Sequence, residues 1–145
     1  MCCESFSNNR CSVYTKSQVL VVPEKKCEYR VHNPNRKKLC KVRIDGCYIT
    51  EGRKCDYLVI NCNDNDAYFV ELKGTDIFHG LEQLDATIAR MREDVGNCKV
   101  YSRIVLTKVS VPNIENNPKI LRHKKMVKKL GGDFIKGTIK LHEHV

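Results

Sequence analysis

One stretch, Lys54 to Gln83 (KCDYLVINCNDNDAYFVELKGTDIFHGLEQ), restricts the possible folds more than any other part of the chain. Two apolar runs, Tyr57–Ile60 and Tyr68–Val70, flank a six-residue cluster of turn formers, Asn61 to Asp66, and this pattern predicts a β-hairpin. Gly74 breaks the second strand, and Thr75 or Asp76 is placed to cap a helix. Ile77, Leu81, Leu84, Ile88 and Met91 then recur at steps of four and three, the stripe of an amphipathic helix that ends near Gly96. Lys99–Thr107 alternates again and reads as a strand. Strand, helix, strand at this spacing needs a crossover, so that strand should run parallel to a core strand.

Side chains alternate faces along a strand, so Phe69, Glu71 and Lys73 share one face and Tyr68, Val70 and Leu72 the other. Asp56 shares a face with Leu58 and Ile60. A register in which opposed residue numbers sum to 127 sets Asp56 opposite Glu71, and a sum of 129 sets it opposite Lys73. Either register gathers all three on one face, and a slip of one residue separates Asp56 from the others. Two carboxylates on strands ~4.8 Å apart can share one cation. Magnesium suits such a pair, because it accepts carboxylate oxygens and completes its shell with waters and substrate phosphates. A Glu-x-Lys on a strand is more often a solvated face. The matching Asp56 and the helix that follows distinguish this one.

At these residues the chain resembles the PD-(D/E)xK nuclease superfamily. Asp56 matches that family's first acid, Glu71-Leu72-Lys73 its Glu-x-Lys, and Gln83 a glutamine often found on the next helix. By element order the resemblance covers about residues 40–107. It implies an α/β fold, a restriction endonuclease-like mixed central sheet flanked by helices. It also implies a metal-dependent endonuclease acting on nucleic acid, with DNA, double-stranded or branched, the expected substrate. Asp56 and Glu71 would bind Mg2+, with Mn2+ as a substitute, and Asp56, Glu71, Lys73 and Gln83 would form the catalytic set. Small members of the superfamily often act as homodimers. The alternative is a nucleic-acid-binding module on the same fold without catalysis.

Beside the helix stripe, His79, Gln83 and Arg90 form a polar line that can face the carboxylates or a phosphate. The family's usual third acid has three candidates, Glu24, Glu28 and Asp45. An Asp before Gly46 more often shapes a bend. Residues 18–31 read either as a hairpin or as a strand followed by a short helix from Pro23. Lys41–Ile49 reads as the first core strand, residues 110–118 as a loop, Lys119–Leu130 as a basic helix stopped by Gly131-Gly132, and Phe134–Leu141 as a final strand.

At 145 residues a single domain over 18–145 is expected, preceded by a loose, polar N-terminal arm at 1–17. The net charge of +9 favours anionic partners. Its densest run, Arg122, Lys124, Lys125, Lys128 and Lys129, is a candidate phosphate-tracking surface. No apolar run reaches the ~20 residues of a membrane span. Residues 1–10 lack the apolar core of a signal peptide, so an intracellular location, cytoplasmic or nuclear, is expected. The nine cysteines show no Cys-x-x-Cys spacing. Cys40, Cys47, Cys55 and Cys62 read as small buried apolar residues, and a reducing compartment argues against a Cys47–Cys55 bridge.

Overall fold

The computed structural model describes residues 2–108 and 114–145, with the side chains of Cys2 and Lys73 outside the description. The predicted loop at 110–118 therefore lies partly outside the described residues. In chain order the elements are a 3-10 turn Cys2–Phe6, β1 Ser12–Thr15, β2 Val19–Glu24, β3 Cys27–His32, β4 Leu39–Arg43, β5 Tyr57–Asn61, β6 Asp66–Gly74, α1 Ile77–Val95, β7 Lys99–Leu106, a 3-10 turn Ile114–Asn116, α2 Pro118–Lys129, β8 Gly131–Thr138 and β9 Lys140–His144. The strands form a mixed sheet in the order β1-β4-β5-β6-β7-β8-β9-β3-β2. Only Thr138 and Lys140 pair between β8 and β9, so the sheet turns a corner there. Six strands lie on one side of the corner and the β9-β3-β2 layer on the other.

Both helices cover the same face of the six strands. Leu58, Phe69 and Ile104 pack there beneath Ile77, Leu81, Leu84, Ile88 and Met91 of α1 and Ile120 and Val127 of α2. The opposite face, with Val59, Tyr68, Val70, Leu72 and Val105, is covered by Val22, Tyr29 and Val31 of the β9-β3-β2 layer. The expectation of helices flanking the sheet is corrected to helices on one face and strands on the other. The cause is the segment 18–31, which forms an antiparallel hairpin with Lys25 at positive φ in its turn. Pro23 is tolerated because β2 is an outer strand and its missing N–H breaks no ladder.

Several boundaries move for local reasons. β4 stops at Arg43, and residues 44–49 form a turn closed by the Ile49 N–H on the Ile44 carbonyl at 2.9 Å, with Gly46 at φ +78°. The expected last strand splits at Ile139, φ +67°, into β8 and β9. Gly132 does more than stop α2, since a Cβ there would stand 1.9 Å from the Val100 carbonyl oxygen. Helix α1 matches its predicted span, with the Asp76 carboxylate accepting from the Phe78 and His79 N–H groups and Gly96 closing the end. Strand β7 runs parallel to β6, as the crossover requires.

The N-terminal segment is not a loose arm. Phe6 is fully buried and packs against Tyr48, and β1 pairs with β4. Disulfides Cys3–Cys62 and Cys11–Cys47 tie the segment to the sheet, and Cys98 is disulfide-bonded as well. The reading of Cys47 and Cys62 as free thiols is thus overturned, because the partners lie far upstream in sequence. Cys27, Cys40 and Cys55 are free and buried. No helix among the described residues is long and apolar enough to cross a membrane.

Candidate active site

The β5–β6 ladder pairs Tyr57 with Val70 and Leu58 with Phe69, a register that sums to 127. Continued by one residue, that register would set Asp56 opposite Glu71, but the ladder ends at Tyr57 and the Asp56 N–H donates to the Val70 carbonyl at 3.2 Å, one residue out of step. Both acids are almost fully buried, at 3% and 5% exposure. The Asp56 Oδ2 accepts the Leu72 N–H at 2.8 Å, which fixes that carboxylate beside the strand carrying Glu71. The first turn of α1 lies over Glu71. A Cβ at Gly80 would stand 3.6 Å from the Glu71 Cγ and 2.2 Å from the Ile104 Cδ1, so the absent side chain lets the helix approach. The positive end of a helix is favourable beside negative charge.

Between Glu71 and Gly74 the ladder to β7 shifts register, since Glu71 pairs with Ile104 and Gly74 with Leu106. This bulge brackets Leu72 and Lys73. Bulges often lie beside active sites, where they redirect a strand. The backbone of Lys73 lies in β6, and its side chain is outside the description.

The polar line on α1 divides. The Gln83 Oε1 accepts the Lys54 N–H at 3.1 Å, and the Arg90 Nη1 donates to the Glu51 carbonyl at 3.2 Å. Both residues hold the backbone that leads into Asp56. Thr87, buried one turn beyond Gln83, accepts the Cys55 N–H at 2.7 Å and donates to the Gln83 carbonyl at 2.8 Å. It was missed in the sequence, where only its i+4 spacing from Gln83 marks it. His79 is exposed, and its N–H joins the Asp76 cap. The Cys55 thiol is pushed well above its ordinary pKa by burial and then by the Glu71 charge, so it stays neutral.

None of the three candidate third acids is brought in by the ladders. The β4–β5 register sums to 100, an even number, so it does not bring Asp45 to the face of Asp56. The Asp45 N–H instead donates to the Asp56 carbonyl at 3.3 Å. Glu24 and Glu28 lie on the β2–β3 hairpin. Along β3, Cys27, Tyr29 and Val31 face inward, so Glu28 faces outward, where it pairs with Arg30 at 2.8 Å and Lys140 at 3.6 Å. Among the described residues no group of three or more His, Cys, Asp or Glu is arranged to hold a metal.

The C-terminal end of the basic run on α2 lies apart from Glu71. Leu130 accepts from Val100 at the start of β7, whereas Glu71 pairs with Ile104 four residues along it. That separation is about 13 Å at strand rise. Lys124 is paired with Glu115 at 2.8 Å, while Lys125, Lys128 and Lys129 are exposed. Nearer the site is Lys119, whose Nζ lies 5.6 Å from the Phe78 ring centroid at the start of α1. Replacing Lys125, Lys128 and Lys129 with Ala is expected to reduce the log–log salt slope of DNA binding by about 0.9 for each phosphate these lysines neutralise. Titration of wild type and variant across salt concentrations checks this, and an unchanged slope would leave the run a solvated face.

A second polar chain was not foreseen. The Ser102 Oγ lies 2.7 Å from the His123 Nε2, and the His123 Nδ1 lies 2.6 Å from the Asp85 Oδ1. This is the order of a nucleophile, base and acid. Ser102 is fully buried beneath the helices, however, and the chain joins β7, α2 and α1 as a structural pin. No family model matches the protein, and no curated protein or solved structure matches it either.

Proposed function

We propose that the protein is a metal-dependent endonuclease, hydrolysing phosphodiester bonds in DNA on a restriction endonuclease-like core. The observation that carries this reading is two nearly buried acids, Asp56 just before β5 and Glu71 on β6, with the Asp56 carboxylate accepting the N–H of Leu72, the neighbour of Glu71, and the first turn of α1 lying over Glu71. The order β4-β5-β6-α1-β7 is the one the resemblance calls for. Two carboxylates ~4 Å apart repel by on the order of 4 kcal/mol at an effective dielectric near 20, and a hard divalent cation relieves that repulsion. The donor set therefore fits Mg2+ or Mn2+, with Asp56 and Glu71 as the protein's ligands and waters and phosphate oxygens as the rest. A bound ion there would make a water more acidic and neutralise charge on the phosphate. Gln83 and Thr87 are positioning residues in this scheme, holding residues 54 and 55 so that the Asp56 carboxylate stays beside Glu71. Lys73 would orient the attacking water, take its proton at Nζ, or stabilise the negative charge that develops.

The test is incubation of the purified protein with plasmid, branched and single-stranded DNA in Mg2+, Mn2+ or EDTA. Cleavage is expected only with metal. Undiminished cleavage in excess EDTA would remove the metal, and no turnover on any substrate would leave a nucleic-acid-binding module. Lys73→Ala should lower turnover at saturating DNA by about 100-fold or more while affinity changes much less. Normal turnover in that variant would end the role given to Lys73.

A further inference from the structure

The Cys11–Cys47 disulfide joins the N-terminal segment to the 44–49 turn, with Cys11 just before β1 and Cys47 in the turn itself. That turn backs the candidate site directly. The Ile44 and Asp45 N–H groups donate to the Asp56 carbonyl at 3.0 and 3.3 Å, and the Tyr48 N–H donates to the Arg43 carbonyl at 3.1 Å. The disulfide also lines an open surface hollow of about 400 Å³ with Asn8, Asn9, Arg10 and Tyr48. Cys47 is half-buried and lines the hollow, while Cys11 is buried at 8% exposure, so Cys47 is the more accessible half of the bridge. The Cys3–Cys62 bridge borders a hollow too, but both of its cysteines are buried, at 5% and 6% exposure. The two bridges therefore differ in access.

We propose that Cys11–Cys47 is a reversible thiol–disulfide exchange site for a dithiol reductant, and that its state sets the order of the turn behind Asp56. A thiolate of the dithiol attacks the Cys47 Sγ, the Cys11–Cys47 bond breaks, and Cys11 leaves as a thiolate that takes up a proton. Arg10, on the wall of the same hollow, favours that leaving thiolate. The second thiol of the dithiol then attacks the mixed disulfide and releases Cys47. The protein gains two electrons and two protons, and the dithiol leaves as a disulfide. With the bridge open, the 44–49 turn keeps its backbone hydrogen bonds but loses its covalent tie to the N-terminal segment. The effect on catalysis rests on the nuclease reading, whereas the exchange itself does not.

The experiment treats oxidised full-length protein with dithiothreitol and, separately, with a thioredoxin-type dithiol protein under native conditions. Differential alkylation with mass spectrometry reads which cysteines open, and amide hydrogen exchange reads residues 44–56. Cys11 and Cys47 are expected to open at least tenfold faster than Cys3 and Cys62. Exchange at the Tyr48 and Ile49 amides should rise about tenfold while α1 stays protected, and re-oxidation should reverse it. The Cys11→Ser/Cys47→Ser variant should show the fast exchange without reductant. Simultaneous opening of both bridges, or unchanged exchange once Cys11–Cys47 is open, overturns the proposal. DNA cleavage on the same samples separates the two readings. Selective opening with no cleavage in any state counts against the nuclease alone, and equal cleavage in both states breaks the link to the site.

Discussion

Asp56→Asn and Glu71→Gln are each expected to reduce metal-dependent DNA cleavage by at least about a thousand-fold, or roughly 4 kcal/mol of barrier. Either change removes half of the protein's negative charge toward the cation. The fold should survive, because the amide oxygen that Asp56→Asn introduces can still accept the Leu72 N–H, which the Asp56 carboxylate accepts at 2.8 Å. Melting in EDTA within a few degrees of wild type, beside abolished cleavage, would place the defect in chemistry. Calorimetric Mg2+ titration should show weakened binding in both variants. If both variants cleave as well as wild type, the assignment of the pair fails. If both unfold, the pair is structural.

The second large effect is expected at the junction of the two strand layers. Arg103 of β7 is 2% exposed, and its guanidinium pairs with Glu143 of β9 at 2.5 Å and Asp133 at 2.8 Å. Glu143 also accepts the Tyr29 hydroxyl at 2.7 Å, and the rings of Tyr68 and Tyr101 lie over the guanidinium. Glu143→Ala leaves a buried cation short of its inner partner and is expected to cost about 3–5 kcal/mol in urea unfolding. The double replacement Arg103→Met/Glu143→Leu should recover much of that, since an apolar pair avoids the desolvation that the ion pair must offset. A loss below about 1 kcal/mol would show that Asp133 suffices. The same cluster sets an alkaline limit. Burial, first among the causes, raises the pKa of Tyr29, Tyr68 and Tyr101 above the ordinary value near 10. A raised folded pKa contributes stability that is full below the unfolded pKa and fades as pH rises toward the folded one. Stability should therefore fall above about pH 10, as melting in alkaline buffers would show.

The hairpin that carries the candidate site was legible in sequence where local rules suffice. Alternation and the turn cluster at Asn61–Asp66 confine Asp56 and Glu71 to one face, and the observed register is one of the two that satisfy this. The helix from Ile77 was equally legible, because its stripe, its Asp76 cap and its Gly96 end are all local signals. The rest depended on partners distant in sequence. Hydrophobic alternation at 18–31 does not say which surface a hairpin will cover. Only the pairing of β3 with the C-terminal β9, and the buried Arg103–Glu143 contact, set that layer on the sheet and turned Glu28 away from the site. The basic character of α2 was visible, but its direction relative to β7 is a matter of topology, and that direction carries Lys128 and Lys129 away from Glu71.

Periodicity and turn chemistry, which act within a few residues, thus determined the hairpin and the helix from the sequence alone. Tertiary structure decided the pairing of Cys3 with Cys62 and of Cys11 with Cys47, the burial of Phe6, and the grip of Thr87 on the Asp56 segment. Each of these joins residues at least 32 apart or buries a side chain in a polar stretch. A linear pattern cannot specify such contacts, because they exist only once the sheet has brought its strands together.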